Sequence, residues 1–222
     1  MARIHIPTLL NGPGHTLVDT GIFSPPNDLM NLLFSGHNQE LLGSIIPEID
    51  RYNDYLRWNL EEVVMHDKVC TVIPVRQEIS RLRRIFSKRH NYYSSHKGTT
   101  NQFRTHRVKC SQRPPEGLNH LNYIVRALGQ VINKIRIYSS IEESIILPQV
   151  LHVSETDYSI IEAAISYPGQ KRVNILTTDS HLETVLLKYT PKYRHHINLY
   201  LLNGSYAVNG ELEIKRKCLF RA

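Results

Sequence analysis

The order of apolar and polar residues along the chain predicts strands that alternate with helices. Short apolar runs, rich in β-branched residues and bounded by turn-forming residues, predict strands at 16–19, 69–73, 173–178 and 197–202. Apolar residues three and four positions apart predict helices over 28–34, 37–65, 75–86, 118–135, 154–165 and 181–188. Two Asn-Gly pairs near the end predict tight turns in a small β extension. This alternation is typical of an α/β fold with a mainly parallel sheet.

One of these helical segments carries a heptad repeat. Apolar residues recur over 118–135 at spacings of three and four, at Leu118, Leu121, Val125, Leu128, Ile132 and Ile135. Such a seam packs against another helix. Because the segment is short for a free coiled coil, we expect it to fold back onto the 75–86 helix as a helical hairpin. A homodimer through the same seam is the alternative.

Positive charge is concentrated in one segment. The formal net charge is +7, yet ten Lys and Arg residues lie between 81 and 113 without any Asp or Glu, which leaves −3 for the remainder. Aromatic residues such as Tyr92 and Tyr93 are interleaved with them. Basic residues beside aromatic ones suit phosphate contacts and base stacking. We expect this segment to bind nucleic acid through Arg81, Lys88, Arg89, Lys97, Arg104, Arg107 and Lys109.

The same segment lacks apolar periodicity from 87 to 115, which predicts a long mobile loop. A solvated loop that contacts nothing is the alternative to a nucleic-acid contact. With 222 residues, of which 41% are hydrophobic, the chain is long enough for a substantial core. We expect a single domain over 1–222, with an inserted basic loop and helical hairpin over 81–145.

Composition also restricts the cellular setting. No apolar run approaches the roughly 20 residues that span a bilayer. The N-terminus has no signal-peptide pattern, so we expect a cytoplasmic protein that does not bind membranes. Cys70, Cys110 and Cys218 are far apart and odd in number, which argues against a disulfide framework.

Acidic residues occur where α/β proteins form their sites. Asp19 ends the strand at 16–19, and Asp179 follows the strand at 173–178. Glu78 lies early in a helix that follows a strand, and Asp157 lies in the first turn of the helix that Ser154 caps. Sites in open α/β sheets form beyond the carboxyl ends of the strands, so we expect these acids to share one edge.

Four carboxylates in one crevice raise one another's pKa values unless a cation is present. Oxygen ligands of this kind select Mg²⁺ or Mn²⁺. Thr20 and Thr178 add hydroxyl groups next to two of the aspartates. A metal site of this composition can activate water and stabilise the in-line displacement of a phosphodiester.

Each acid alone has an ordinary explanation. Asp157 can simply stabilise a helix N-terminus, Glu78 can be a solvated acid beside two arginines, and Asp19 can be a turn residue. The tripeptide Asp19-Thr20-Gly21 also matches the aspartic-protease signature. That activity requires a β-rich fold with two such loops, or one loop from each chain of a homodimer. The only other candidate in this sequence, at 178–180, lacks the glycine, and the predicted chain is too helical. The four acids together therefore favour a metal site.

Two further ligand sets stay open. His90, His96, His106 and Cys110 could hold zinc within the basic segment, although their spacing fits no familiar zinc pattern. Glu162 and Glu183 lie about one helical turn from Asp157 and Asp179 and are reserve ligands.

The sequence resembles PIN-domain nucleases in four short motifs. These are VDTG around Asp19, IPVRQEI around Glu78, DYSIIEAA from Asp157 and ILTTDSHL around Asp179. The resemblance implies a Rossmann-like α/β/α sandwich in which these four acids bind Mg²⁺ or Mn²⁺ and hydrolyse RNA. It also implies that Thr20 and Thr178 occupy positions that usually hold small hydroxyl residues.

The resemblance covers residues 15–80 and 150–202, and helical insertions separate its motifs further than in the small toxin members of the family. We therefore expect a specialised nuclease; an antitoxin-like partner is permitted but not indicated. Two other functions stay open. One is a nucleic-acid-binding or assembly protein on a PIN-like scaffold with little or no cleavage. The other is a structure-specific DNA nuclease, since RNA and DNA offer the same phosphates.

Overall fold

Helices and strands alternate along the parts of the chain that the computed structural model describes, which are residues 6–25, 29–31, 33, 45–95, 117–138, 153–167, 172–189, 197–202 and 214–219. The helices are α1 (Ile6–Asn11), α2 (Ile46–Trp58), α3 (Ile73–Ser95), α4 (Leu118–Lys134), α5 (Glu155–Ile165) and α6 (His181–Tyr189). The strands are β1 (His15–Val18), β2 (Val69–Cys70), β3 (Val173–Thr177), β4 (Ile197–Leu202) and β5 (Ile214–Leu219). A 3₁₀ turn over Thr20–Ile22 follows β1, and a π-helical segment over Asn59–Val64 extends α2.

The strands form one sheet in the order β2-β1-β3-β4-β5. Pairing is parallel between β2, β1, β3 and β4, and β5 runs antiparallel to β4. This confirms the predicted α/β fold with a mainly parallel sheet and is compatible with a Rossmann-like arrangement. The antiparallel β5 also confirms a β extension near the end of the chain, whereas both Asn-Gly pairs lie outside the described residues.

A switch in strand order occurs between β1 and β3. The chain leaves β1 for β2 on one side and then crosses to β3 on the other side of β1. In open α/β sheets the connections at such a point diverge to opposite faces and leave a crevice at the carboxyl ends of the two strands. Val18 pairs with Leu176, so the residues that follow these two positions come together at that crevice.

The helical hairpin is present and is built from α3 and α4. Thr71, just before α3, exchanges backbone hydrogen bonds with Arg136 and Tyr138, just after α4, so the two helices run antiparallel. Leu121 and Leu128 of the heptad seam are fully buried in this chain's own core, where α4 packs on α3 and α2. These buried positions of the seam therefore serve the hairpin, and a homodimer through the same helix stays a prediction.

The prediction of a loop over 87–115 is wrong for residues 87–95, because these residues are helical and α3 continues to Ser95. Phe86, Arg89 and Tyr93 are buried at spacings of three and four, and they extend the face begun by Ile79 and Leu82. The aromatic rings thus provide the apolar periodicity that aliphatic residues provide earlier in the helix. Residues 96–116, including Lys97, Arg104, Arg107 and Lys109, lie outside the described part, as do His96, His106 and Cys110.

Smaller differences concern the ends of elements. The strand predicted at 69–73 is limited to Val69–Cys70, because α3 begins at Ile73 with Pro74 in its first turn, where proline is well tolerated. Residues 29–31 and 33 are helical, as expected for 28–34. The described helices include none that is both long and apolar enough to cross a membrane. The single domain over 1–222 with an insertion over 81–145 stays a prediction.

Candidate functional site

Asp19 lies at the crevice, directly after β1. Its backbone N–H bonds to the carbonyl of Leu176 on β3, which continues the sheet pairing by one residue. Its side chain caps the following 3₁₀ turn by accepting a hydrogen bond from the N–H of Thr20 at 2.6 Å. Only 6% of the residue is exposed. Asp19 is therefore a buried carboxylate held by the backbone on one side.

The second oxygen of Asp19 is bound across the sheet by Thr177, the last residue of β3. The Thr177 hydroxyl donates to Asp19 Oδ2 at 2.6 Å and accepts the backbone N–H of Asp179 at 2.9 Å. Asp179 Oδ1 in turn accepts the N–H of His181 at 2.7 Å, at the start of α6. One buried threonine thus links the two strand-end aspartates, and Asp179 itself is exposed.

Glu78 is held by two threonine hydroxyls from different elements. Thr20 donates to one carboxylate oxygen at 2.6 Å, and Thr156 donates to the other at 2.5 Å. Thr20 follows Asp19 in the turn after β1, and Thr156 precedes Asp157 in the first turn of α5. Glu78 therefore joins the turn after β1 to the N-terminus of α5.

Asp157 has both a structural and an electrostatic part in this cluster. The predicted capping box is present: the Ser154 hydroxyl accepts the Asp157 N–H at 3.1 Å, and Asp157 Oδ2 accepts the Ser154 N–H at 3.4 Å. The charges of Asp179 and Glu78 nevertheless act on Asp157, and the charge of Asp157 acts on Asp19. Asp157 is thus within electrostatic range of the other three acids.

Burial and crowding change the acidity of this cluster. Loss of hydration raises the pKa of Asp19 to about 6, with the charge of Asp157 adding to the rise and the Thr177 hydrogen bond opposing it. The pKa of Asp157 is raised by burial first, while its hydrogen bond with Ser154 opposes the rise and the charges of Asp179 and Glu78 add to it. Both shifts show that the cluster disfavours additional negative charge and would be relieved by a cation.

The turn after Asp19 is anchored from behind by α2 and its π-helical extension. Tyr52 donates to the carbonyl of Phe23 at 2.6 Å, and Tyr55 donates to the carbonyl of Ile22 at 2.7 Å. Asn59, at the start of the π-helical segment, donates to the same Ile22 carbonyl at 3.4 Å. All three side chains are buried. The helix thus fixes the turn that carries Asp19 and Thr20.

Gly21 allows a close approach between this turn and β3. A Cβ atom added there would lie 2.1 Å from the Thr178 hydroxyl and 3.3 Å from Asp19 Oδ2. The described glycines with a positive φ are Gly14 and Gly117, so Gly21 does not need a left-handed backbone. The lack of room for a Cβ atom therefore explains why position 21 is a glycine. Thr178, predicted to support the aspartates, lies exposed against this glycine, and Thr177 makes the bond to Asp19 instead.

Hydrogen bonds through threonines and the charge of Asp157 connect the four predicted acids near the carboxyl edge of β1 and β3. The donor chemistry and the negative charge of this cluster fit a hard cation such as Mg²⁺ or Mn²⁺. Among the described residues, however, no group of three or more His, Cys, Asp or Glu side chains already surrounds one point as metal ligands do. Hydrogen bonds from threonine hydroxyls and backbone amides hold these carboxylates in the positions described above.

The described basic residues differ from one another in exposure. Arg81 and Lys88 are exposed on α3, as nucleic-acid contacts require. Arg89 is only 9% exposed, and its guanidinium lies 5.2 Å and 5.0 Å from the ring centroids of Tyr92 and Tyr93. A cation buried against its own aromatic neighbours is poorly placed to reach a phosphate. The expectation for Arg89 is therefore corrected to a packing role, and Tyr93, which is 1% exposed, cannot stack on a base.

Two hydroxyl residues of the site, Thr156 and Thr177, were missed by the sequence prediction. A signal was present, since three of the acids are adjacent to threonine, as Asp19-Thr20, Thr156-Asp157 and Thr178-Asp179. Which neighbour faces the acids depends on strand pairing and helix rotation. Thr177 is placed by the pairing of Val18 with Leu176, which sequence alone does not define.

Comparison of the chain with protein-family models, with curated proteins and with solved structures found no match.

Proposed function

We propose that the protein is a metal-dependent nuclease that hydrolyses phosphodiester bonds of RNA on a PIN-like fold. The observation that carries the proposal is the hydrogen-bond network that joins the acids at the switch point of a parallel sheet. Thr177 links Asp19 to Asp179. Glu78 accepts from the threonines that adjoin Asp19 and Asp157 in sequence. Burial raises the pKa of Asp19 and of Asp157, neighbouring acids add to both shifts, and a divalent cation would offset that cost. A phosphate would also be repelled by this cluster unless a cation lay between them.

Asp19, Glu78, Asp157 and Asp179 are the residues that would hold Mg²⁺ or Mn²⁺. Bound there, such an ion supplies charge that activates water and neutralises the oxygens of the phosphate. Thr177 and Thr20 keep Asp19 and Glu78 oriented by hydrogen bonds, because a hydroxyl donor fixes the direction of each carboxylate. Asp179 is the exposed member of the four and is therefore accessible to a substrate from solvent.

The test is incubation of labelled RNA and DNA with the protein in Mg²⁺ or Mn²⁺, against EDTA. Asp179→Asn keeps the size of the side chain and removes its charge, and we expect it to abolish cleavage. Asp67→Asn is the matched control, because the Asp67 side chain is 82% exposed and, among the described ion pairs, pairs only with His66. The control is expected to cleave like the wild type.

Cleavage that survives EDTA or the Asp179→Asn substitution would refute the mechanism. Tight, salt-sensitive binding of RNA without cleavage would instead indicate a binding or assembly protein on the same scaffold. Cleavage of DNA but not RNA would assign the site to a DNA nuclease.

A further inference from the structure

One face of α3 is exposed along most of the helix and is basic. Gln77, Arg81, Arg84, Lys88 and Asn91 follow one another at spacings of four and three, and all are exposed. Residues at these spacings share one side of a helix. The opposite side is buried, with Val75, Ile79 and Phe86 fully inside the core. The arginines and lysine of this face thus form a continuous stripe, which we name the α3 stripe and define as Arg81, Arg84 and Lys88.

The charges of the α3 stripe are not neutralised by the residues that the structure describes. The described ion pairs involve α2, His66 and His120, and none includes Arg81, Arg84 or Lys88. Two other arginines of the helix are used internally: Arg83 donates to the carbonyl of Val125 on α4, and Arg89 is stacked on tyrosines. Within α3 the only acid is Glu78, whose oxygens are bound by threonines.

The stripe begins beside the acidic site. Arg81 lies three residues after Glu78, so the two are neighbours on the helix surface. From Arg81 to Lys88 the stripe extends about 10 Å along the helix, at 1.5 Å per residue. Three cations spread along that length can each contact a phosphate of one nucleic-acid strand. A strand bound along the stripe is therefore directed toward the acids.

An apolar side chain also lies on this face. Ile85 is 39% exposed and lies four residues after Arg81 and three before Lys88. An exposed isoleucine among cations gives the stripe an apolar surface that the bases of an unpaired strand can contact, whereas the bases of a duplex are stacked inside it. The combination of a narrow row of cations with an apolar side chain favours one strand over two.

We propose that the α3 stripe binds the phosphates of single-stranded RNA and leads that strand to the acidic site. The proposal rests on the nuclease function proposed above, since it makes the stripe the approach to that site. The occupant follows from charge complementarity, because three unpaired cations in a row match a linear polyanion. Arg84, which was not among the predicted contacts, becomes a member of the interface, and Arg89 is excluded from it.

The test measures binding of a fluorescein-labelled single-stranded oligouridylate in EDTA, which prevents metal-dependent cleavage, over a series of salt concentrations. The variant is Arg81→Ala/Arg84→Ala/Lys88→Ala. Its matched control is Arg51→Ala/Arg57→Ala/Arg126→Ala, which removes the same charge from exposed positions on α2 and α4. Each phosphate contact contributes about 0.7 to the slope of log affinity against log salt for single strands, so the stripe variant is expected to lose about 2 from this slope.

An unchanged slope in the stripe variant, or an equal loss in the control, overturns the proposal. Oligothymidylate is expected to lose the same slope, because it carries the same phosphates. A loss of affinity confined to RNA, without a change in slope, would indicate contacts to the 2′-hydroxyl and overturn the proposal. An equal loss with duplex RNA would overturn the preference for a single strand. If the stripe variant loses its slope but the wild type cleaves nothing in Mn²⁺, the stripe stands and the nuclease function fails.

Discussion

The Thr20 hydroxyl donates to the Glu78 carboxylate at 2.6 Å, across 58 positions of sequence. The other oxygen of Glu78 accepts the hydroxyl of Thr156 at 2.5 Å. These two bonds connect the turn after β1, the start of α3 and the start of α5. They fix the relative positions of the acids, because Thr20 adjoins Asp19 and Thr156 adjoins Asp157.

Replacing Thr20 by valine tests this connection, because valine keeps the shape and removes the hydroxyl. A hydrogen bond to a charged group contributes about 1.5–3 kcal/mol, and we expect Thr20→Val to lower the free energy of unfolding toward that range. Loss of a partner that orients a metal ligand typically lowers activity about 10–100-fold, which we also expect here. Urea unfolding and cleavage assays measure the two effects.

Thr20→Ser is the control for this substitution, because serine retains the hydroxyl and loses only a methyl group. Both stability and activity are expected to stay near the wild-type values. If serine and valine were equally harmful, the methyl group rather than the bond to Glu78 would be the important feature of Thr20.

The places of Asp19 and Asp157 in the fold could be predicted from the sequence because they depend on local features. Asp19 follows an apolar run, and Asp157 has a serine three residues before it. Both signals act over a few residues, and the structure has Asp19 at the end of β1 and Asp157 in the first turn of α5, as predicted. The partners of the acids were harder to predict. Thr177 meets Asp19 only through the pairing of β1 with β3, and Thr156 meets Glu78 only through the packing of α5 on α3. Both depend on tertiary contacts.

The end of α3 shows a different reason for error. Arg89 and Tyr93 were interpreted as surface residues because they lie in a basic, polar segment. In the structure the two side chains cover each other and extend the buried face of the helix. A long side chain can bury its apolar stem and stack its guanidinium on a ring. Residue type alone therefore does not predict which basic residues of such a segment are exposed.

Removing the charge of Asp19 is expected to stabilise the metal-free protein at neutral pH. The pKa of Asp19 is raised from 3.8 to about 6. As pH rises, the Asp19 carboxyl therefore loses its proton at a lower pH in the unfolded chain than in the folded protein. The stability that Asp19 contributes in its protonated form is therefore complete below about pH 4 and lost as pH rises through about 6. A shift of this size corresponds to about 3 kcal/mol, and lost hydrogen bonds reduce the expected gain from Asp19→Asn to about 1–2 kcal/mol at pH 7.5.

Thermal unfolding of Asp19→Asn and wild type between pH 4 and pH 8 measures this difference. The two curves are expected to converge below about pH 4, to separate as the pH rises from about 4 to about 6, and to stay apart by a constant amount above that. Asp67→Asn serves as the exposed control and should follow the wild type throughout. A variant less stable than the wild type at pH 7.5 would show that the hydrogen bonds of Asp19 outweigh its burial.

Divalent ions are expected to stabilise the protein through the same acids. An ion that binds only the folded state at 100 times its dissociation constant adds about 2.7 kcal/mol. For a chain of this size the midpoint then rises by about 5–10 °C at about 2–4 °C per kcal/mol. Melting curves in Mn²⁺, with Ca²⁺ and EDTA for comparison, measure the rise. Asp157→Asn should reduce it, and an undiminished rise would place the ion elsewhere.

Gly21 and Thr178 are expected to be energetically coupled. An alanine at position 21 would place its Cβ atom 2.1 Å from the Thr178 hydroxyl, so that side chain must move. Overpacking of this kind typically costs about 1–3 kcal/mol. Thr178→Ala removes the hydroxyl, and the double variant should therefore be less destabilised than the sum of the single variants. Additive effects in urea unfolding would show that Thr178 moves aside without cost.

The bond from Tyr55 to the carbonyl of Ile22 gives the most stringent test of how the turn after Asp19 is held. The bond is buried and 2.7 Å long, and burial raises the pKa of the Tyr55 hydroxyl, which stays a donor at all ordinary pH values. Tyr55→Phe leaves the Ile22 carbonyl with only the longer bond from Asn59, at 3.4 Å.

We expect Tyr55→Phe to lower the free energy of unfolding by about 1–3 kcal/mol, since a buried acceptor loses its better donor. If the turn is a positioning element, the substitution should also move the pKa of Asp19, which NMR titration of the side-chain carboxyl measures directly. Tyr123→Phe is the control, because Tyr123 is 58% exposed on α4. A loss of stability without any change in the Asp19 titration would mean that Tyr55 supports the core but does not position the acid.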